Sequence, residues 1–407
     1  MSFPALDQTE RAHSERVLAS VRDAIQRAGG WIPFSEYQQR VLYEPGLGYY
    51  ASGAAKFGCG GDFVTAPLVS PLFGRAVARW IAPLLAASGP GAEILELGAG
   101  NAALAQQVLE ELLVMSSAPA RYSILDISAD LRVRQADALA AVPALQAVPV
   151  RWLDSLPGDF RGVILANEVL DALPCERFVV GAAGLLARGL RMNADGRLVE
   201  ALREPSTLSH VKLPLAGSLI DCYARLSANL DSSGCRLPPG YAGEFIPALP
   251  PFLRSLSTAL QSGAIVLIDY GLPRRQLYLP ERGAGSLRCI RRHQAHDDPL
   301  RDPGLTDITS WVDFTAVADA AESNGLQVTA FATQMAWLLD SGLDALLAEA
   351  MQSANNSAAA VALAQGVKTL LLPGEMGEAV KMMCLTRGLA EQFGTVGTQD
   401  LRASLCD

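Results

Sequence analysis

Apolar residues along the chain fall into two patterns: short unbroken runs, as buried strands require, and stretches in which they recur every three or four positions, as amphipathic helices require. Ile94, Leu95 and Leu97 form a run that stops at Gly98, and Leu104, Val108, Leu109, Leu112 and Leu113 follow at helical spacing. The stretch 93–104 is therefore predicted as strand, tight turn and helix, with the rest of the chain organised around it. Upstream, Val17, Leu18, Val21 and Ile25 predict a helix over 14–28 stopped by Gly29 and Gly30, and Leu72, Ala76, Trp80 and Leu84 predict another over 71–86. Between them, 46–67 is rich in glycine and aromatics without a period, and reads as an ordered loop of a length that is uncommon unless functional.

Downstream come strand 121–127, helix 129–140 and strands 148–153 and 162–166, each separated by a polar or Gly/Pro break. Helices alternating with nearly continuous apolar strands predict an α/β fold with a parallel, doubly wound sheet. The rhythm breaks over 175–262, where short strands at 178–180, 185–190 and 198–202 and helices at 214–231 and 248–262 predict a mixed α/β insertion facing the substrate. It resumes with strand 264–271, passes through an arginine-rich stretch 272–310 read as loop, and continues with helix 313–324, strand 326–332, helices 335–351 and 358–371 and strand 380–385. The expected organisation is a helical and loop cover over 1–90, the sheet domain with its insertion over 91–387, and a tail over 388–407.

Composition narrows the class. The chain has 407 residues, of which 50% are apolar and 18% charged, as in an ordinary soluble globular protein with a large core. No apolar run reaches the roughly 18 residues that a membrane span needs. Asp7, Glu10, Glu15 and Asp23 sit among the early arginines with no apolar centre, so no signal or transit peptide is expected and the cytoplasm is the expected compartment. Seven scattered cysteines without a C-x-x-C pair or matched histidines argue against a zinc site or disulfide framework, so no metal is expected. The net charge of −9 disfavours a nucleic-acid surface and suits a cationic partner.

Gly98 and Gly100 allow a sharp turn with positive φ and close approach of a ligand to the backbone, while the helix that follows presents free N–H groups. A dinucleotide fingerprint is satisfied by Gly98, Gly100 and Ala103, whereas a methyltransferase turn wants a small residue where the chain has Ala102. Asp126, one strand later, suits the ribose hydroxyls of either ligand, so the spacing leaves both open. Asn167 and Glu168 follow the apolar run 162–166, at the carboxyl end of a predicted parallel strand where open α/β sheets bind ligands. The competing reading is an ordinary helix start capped by Asn167.

Several motifs together resemble one family, the MidA-like class I methyltransferases that use S-adenosylmethionine and whose mitochondrial member is an assembly factor of respiratory complex I. They are Gly48-Tyr49-Tyr50; Phe57-Gly58 with Gly61-Asp62-Phe63 and Thr65; Ser70 with Leu72-Phe73-Gly74; Glu96-Leu97-Gly98-Ala99-Gly100; Asn167-Glu168 with Asp171-Ala172-Leu173-Pro174; Asp269-Tyr270-Gly271; His293 with His296-Asp297; Asp307 with Thr309; Val312-Asp313-Phe314; and Met376-Gly377-Glu378. The likeness spans residues 15–387 and is far more specific than the glycine turn alone. Three positions depart from it. Ala102 stands for a usual glycine and is least disruptive with a negative φ. Asp126 stands for a longer acid, and Asn167 for a histidine of many relatives.

The resemblance implies a Rossmann-like methyltransferase sheet that holds S-adenosylmethionine through Glu96, Gly98, Ala99, Gly100, Asp126, Asn167 and Thr65. It implies a protein arginine as acceptor, since the mitochondrial relative symmetrically dimethylates an arginine of a complex I core subunit, and the mitochondrial matrix as the compartment in a eukaryote. A carboxylate fork fixes a planar guanidinium, and Glu168, assisted by Asp62 or Asp171, is the expected fork. Two other readings are carried forward: an NAD-dependent oxidoreductase, with His293 or His296 near the hydride, and a non-catalytic assembly scaffold on the same fold.

Overall fold

The computed structural model describes residues 5–52, 65–397 and 399–406. Its centre is a sheet built from Glu93–Leu97 (β1), Tyr122–Leu125 (β2), Val150–Leu153 (β3), Phe160–Asn167 (β4), Leu260–Leu272 (β5), Gln327–Thr333 (β6) and Val380–Arg387 (β7), in the order β3-β2-β1-β4-β5-β7-β6. β3, β2, β1, β4 and β5 pair in parallel, and β7 runs antiparallel between β5 and β6. Strand order reverses beside β1, with β2 on one side and β4 on the other, which is where open α/β sheets bind ligands.

The unbroken apolar runs of the central strands follow from burial on both faces. Ile94, Val163, Leu165, Val266 and Ile268 point to one core, packed with Phe73, Val77 and Ile81 of helix Pro71–Ala87 and with Trp337 and Leu370. Leu95, Leu97, Ile164, Ile265 and Leu267 point to the other. There they meet Val17, Val21 and Ile25 of helix Gln8–Arg27, Phe34, Tyr37 and Val41 of helix Phe34–Tyr43, and helices Leu249–Ala259 and Phe314–Ser323. The face of helix Phe34–Tyr43 carries one buried amide. Gln38 Nε2 donates to the Ile308 carbonyl at 2.8 Å and its Oε1 accepts from the Cys175 N–H at 2.8 Å, which ties the backbone at 308 to that at 175.

After β4, strands Glu176–Gly181, Gly184–Met192, Leu198–Arg203 and Ala242–Phe245 form a separate antiparallel sheet that shares a core with helix Leu219–Ser232. The stretch 272–310 is not all loop. Arg288–Arg291 pairs antiparallel with both Gln294–His296 and Asp307–Thr309. The hairpin turns on Arg292 and His293, at φ +49° and +60°, where Asn-Gly would have been the legible signal. Arg291 is buried because its guanidinium is paired with Glu10 at 3.1 Å and Asp302 at 2.8 Å, so an arginine reads as surface in sequence yet anchors a strand. The expected helix 335–351 is two, Gln334–Asp340 and Leu343–Gln352, broken at Gly342 with φ +78°. No helix among the described residues is long and apolar enough to cross a membrane.

Candidate active site

At the carboxyl ends of β1, β2 and β4 lies a cavity of about 800 Å³, within the size range of small-molecule sites. Glu96, Gly98, Ala99, Gly100, Asp126, Asn167, Thr65, Glu168 and Asp171, the expected site residues from four separate segments, all line it. Asp62 lies outside the described residues, and His293 and His296 sit on the hairpin away from the cavity lining.

The turn after β1 alternates left-handed residues: Gly98 at φ +62°, Gly100 at +54° and Ala102 at +66°. Glycine takes this conformation at no steric cost, whereas an alanine Cβ approaches the following carbonyl at a cost of about 1–2 kcal/mol. The negative φ under which Ala102 would be harmless is therefore not what the chain adopts. Tight packing holds it there, as Ala102 is 1% exposed at the start of helix Ala103–Val114. Ala102→Gly should stabilise the protein, but only by about 0.5–1 kcal/mol, because the unfolded chain gains freedom with glycine. Denaturant midpoints for the two proteins check this, and an unchanged or lower midpoint contradicts it.

Gln135, in helix Ala129–Ala140, locks the glycine-turn side of the cavity and was not anticipated from sequence. Its Nε2 donates to the Gly100 carbonyl and to Asp126 Oδ2, each at 2.9 Å, and its Oε1 accepts from Trp152 Nε1 at 2.9 Å. Asp126 Oδ1 accepts the Ser128 N–H at 2.9 Å. The turn and the acid after β2 thus move as one body. Glu96, 2% exposed, accepts from the Tyr122 hydroxyl at 2.8 Å, and burial, with Asp126 nearby, pushes its carboxyl up to about 7 despite that hydrogen bond. Asn167 Oδ1 is buried and finds no donor among the described residues. A glycine-lined backbone, a carboxylate one strand over and an amide oxygen without a donor are together a fitting cradle for a nucleoside bearing an amino-acid arm.

The lining contributed by the segment after β4 is acidic. No helix starts at Asn167; residues 168–173 form turns, and Glu168 itself is left-handed at φ +53°. Asp269, at the end of β5, explains how this persists. Its Oδ2 accepts the N–H groups of Val169, Leu170 and Asp171 at 3.1, 2.7 and 3.3 Å, its Oδ1 accepts that of Tyr270 at 2.8 Å, and the Glu168 N–H donates to the Ile268 carbonyl at 2.8 Å. Burial lifts the carboxyls of both Asp171 and Asp269, which share a hydrogen bond, and the four N–H groups hold Asp269 as the anion, so the proton sits on Asp171. Burial, then the charges of Asp269 and Asp307, push Glu168 up to about 8, against hydrogen bonds from the Ala66 N–H and the Asn167 amide. Asp307, Tyr43 and Tyr50 complete this wall. Asp269, Asp307 and Tyr50 belong to the quoted motifs, but nothing in their spacing revealed a role.

A family profile described as "Putative S-adenosyl-L-methionine-dependent methyltransferase" matches residues 76–332. The chain is 27% identical over 376 residues to "Protein arginine methyltransferase NDUFAF7, mitochondrial" of Danio rerio, covering 86% of this chain and 82% of that protein. It is 25% identical over 383 residues to the Homo sapiens protein of the same name, covering 88% and 81%. A crystal structure of a protein from Burkholderia thailandensis described as a "likely methyl transferase", bound to S-adenosyl-homocysteine, superposes with TM-score 0.89 at 38% identity, covering 99% of this chain and all of the other. The nicotinamide and scaffold readings of the glycine turn fall with these matches. The chain belongs to the S-adenosyl-L-methionine-dependent methyltransferases described by that family profile, in keeping with the MidA-like resemblance of its motifs.

Proposed function

We propose that the protein methylates an arginine side chain of a protein substrate, with the donor along Gly98, Ala99, Gly100 and Asp126 and the acceptor at Glu168. The observation that carries this is that Glu168 and Asp171 line the same cavity as the glycine turn, with the charge of Asp269 bearing on both. Relatives named as protein arginine methyltransferases support it. Glu96 and Asn167 lie where the amino-acid arm of the donor would sit, and Thr65 closes that side. The resemblance points to a respiratory complex I subunit or an assembly-related protein as the acceptor, and to the cytoplasm, or the mitochondrial matrix in a eukaryote, as the setting.

Bound S-adenosylmethionine supplies a methyl group on an already cationic sulfur. A guanidinium stays protonated in water, so the protein must orient one nitrogen and take up its proton. Glu168 accepts N–H groups of the guanidinium, which fixes its plane and leaves one nitrogen facing the donor. As the methyl carbon leaves sulfur and bonds to nitrogen, one N–H proton passes to the Glu168 carboxylate, whose raised proton affinity suits it to hold that proton near neutral pH. Orientation of this kind supplies about 7–11 kcal/mol in well-aligned systems.

The test is transfer of label from methyl-tritiated donor into lysate proteins of a strain lacking the protein, with mass spectrometry of the labelled peptide. Label on arginine is expected. Label on lysine, a carboxylate or a small molecule retires the arginine assignment and leaves the methyltransferase family standing.

A further inference from the structure

We propose that Asp307, held by Tyr50, is a second carboxylate arm of the acceptor site, and that with the Tyr43 and Tyr50 rings it selects a flat, delocalised cation over an ammonium. This deepens the arginine reading and rests on it.

Asp307 reaches the cavity from outside the central sheet. It begins the strand Asp307–Thr309 of the three-stranded hairpin sheet, whose next residue is anchored by Gln38. It is 1% exposed, and burying a carboxyl costs several kcal/mol unless its oxygens are met. The Tyr50 hydroxyl meets Oδ1 at 2.7 Å. Its charge bears on both Glu168 and Asp171 and makes each harder to ionise. Glu168, Asp171 and Asp307 line the cavity together, so ionising more than one of them sets like charges against each other, and a cation among them relieves that repulsion.

The aromatic wall says what shape of cation. The rings of Tyr43 and Tyr50 stack with centroids 5.4 Å apart at 24°, and both hydroxyls are tied down, Tyr43 to the Ala172 carbonyl at 2.6 Å and Tyr50 to Asp307. Both side chains line the cavity, and burial keeps both phenols protonated. A guanidinium lies flat along an aromatic wall and presents N–H groups on more than one edge, so Glu168 and Asp307 each take a different edge. A compact ammonium has neither the plane nor the separated edges to use both carboxylates together.

The experiment uses the full-length protein saturated with S-adenosylhomocysteine, titrated in a calorimeter with N-acetyl-L-arginine amide and with N-acetyl-L-lysine amide. The wild type should bind the arginine probe saturably and the lysine probe at least about tenfold more weakly. Asp307→Asn should lose about tenfold or more in affinity for the arginine probe while its affinity for S-adenosylhomocysteine stays the same. Tyr50→Phe, which keeps the ring and removes the hydroxyl, should lose part of it, and serves where Asp307→Asn melts below the assay temperature. In turnover with the labelled lysate, both variants should raise KM for the acceptor more than they lower kcat. No saturable binding of the arginine probe by the wild type, equal binding of the two probes, or unchanged affinity in both variants overturns the second arm. Arginine labelling at an unchanged KM in Asp307→Asn overturns it while the arginine reading stands, whereas wild-type label away from arginine removes that reading itself.

Discussion

Glu168→Gln is expected to cut methyl transfer by roughly 100-fold or more, because the amide keeps the size but cannot take the proton that the acceptor nitrogen must lose. Donor affinity should be preserved, since the glycine turn and Asp126 are untouched. Stability should move the other way. Glu168 has a folded-state pKa of about 8 against roughly 4.3 for an unfolded glutamate. The folded protein therefore holds this proton more tightly, and the stabilisation present below the unfolded value is lost as pH rises through the folded one, at no more than about 1.4 kcal/mol per pH unit. Glutamine does not titrate, so denaturant melts should show the variant gaining on the wild type from pH 5 to pH 8.5. In the wild type, kcat/KM should climb with pH through about 8 as the carboxylate forms. Full activity in the variant, or a stability gap that does not change with pH, contradicts this role for Glu168.

Gly100→Val carries the other large effect. At φ +54° a β-branched side chain is a backbone outlier, and it projects at a turn that lines the cavity. The Gly100 carbonyl also holds Gln135, which holds Asp126, so a shifted turn drags the Asp126 carboxylate with it. Binding of S-adenosylhomocysteine should fall beyond calorimetric detection, while stability falls by only about 1–3 kcal/mol. Ala102, already left-handed two residues later, shows that this turn tolerates a side chain at positive φ without unfolding. Tight binding by a folded Gly100→Val protein removes the turn from the donor site.

The parts that were legible in sequence are those fixed by burial on a regular period. β4 and β5 carry unbroken apolar runs and β1 a run broken only by Glu96, because helices cover both faces, and helix Ala129–Ala140 appeared at its observed bounds from its neighbours' breaks. Motif chemistry placed Glu96, Asp126 and Glu168 at strand ends without any knowledge of pairing. What escaped is held by relations with no period. Helix Phe34–Tyr43 is short, its buried face includes Gln38, and its start is a proline without a capping side chain. The strands of 288–309 depend on a paired, buried Arg291 and a turn of arginine and histidine. Asp269 serves backbone N–H groups of a segment about a hundred residues earlier, and neither end of that contact leaves a mark on the sequence.

The two walls of the cavity also differ in when they come into being during synthesis. The wall proposed for the donor runs from Thr65 to Asn167 and needs β1, β2 and β4, all of which leave the ribosome well before residue 307. The wall proposed for the acceptor joins Tyr43 and Tyr50 to Glu168, which Asp269 holds in place through the following backbone, and to Asp307, so it is not complete until the strand Asp307–Thr309 has been made. A growing chain therefore contains every residue of the proposed donor wall before the proposed acceptor wall is finished, and a nascent or truncated product ending before residue 307 lacks the carboxylate proposed as its second arm.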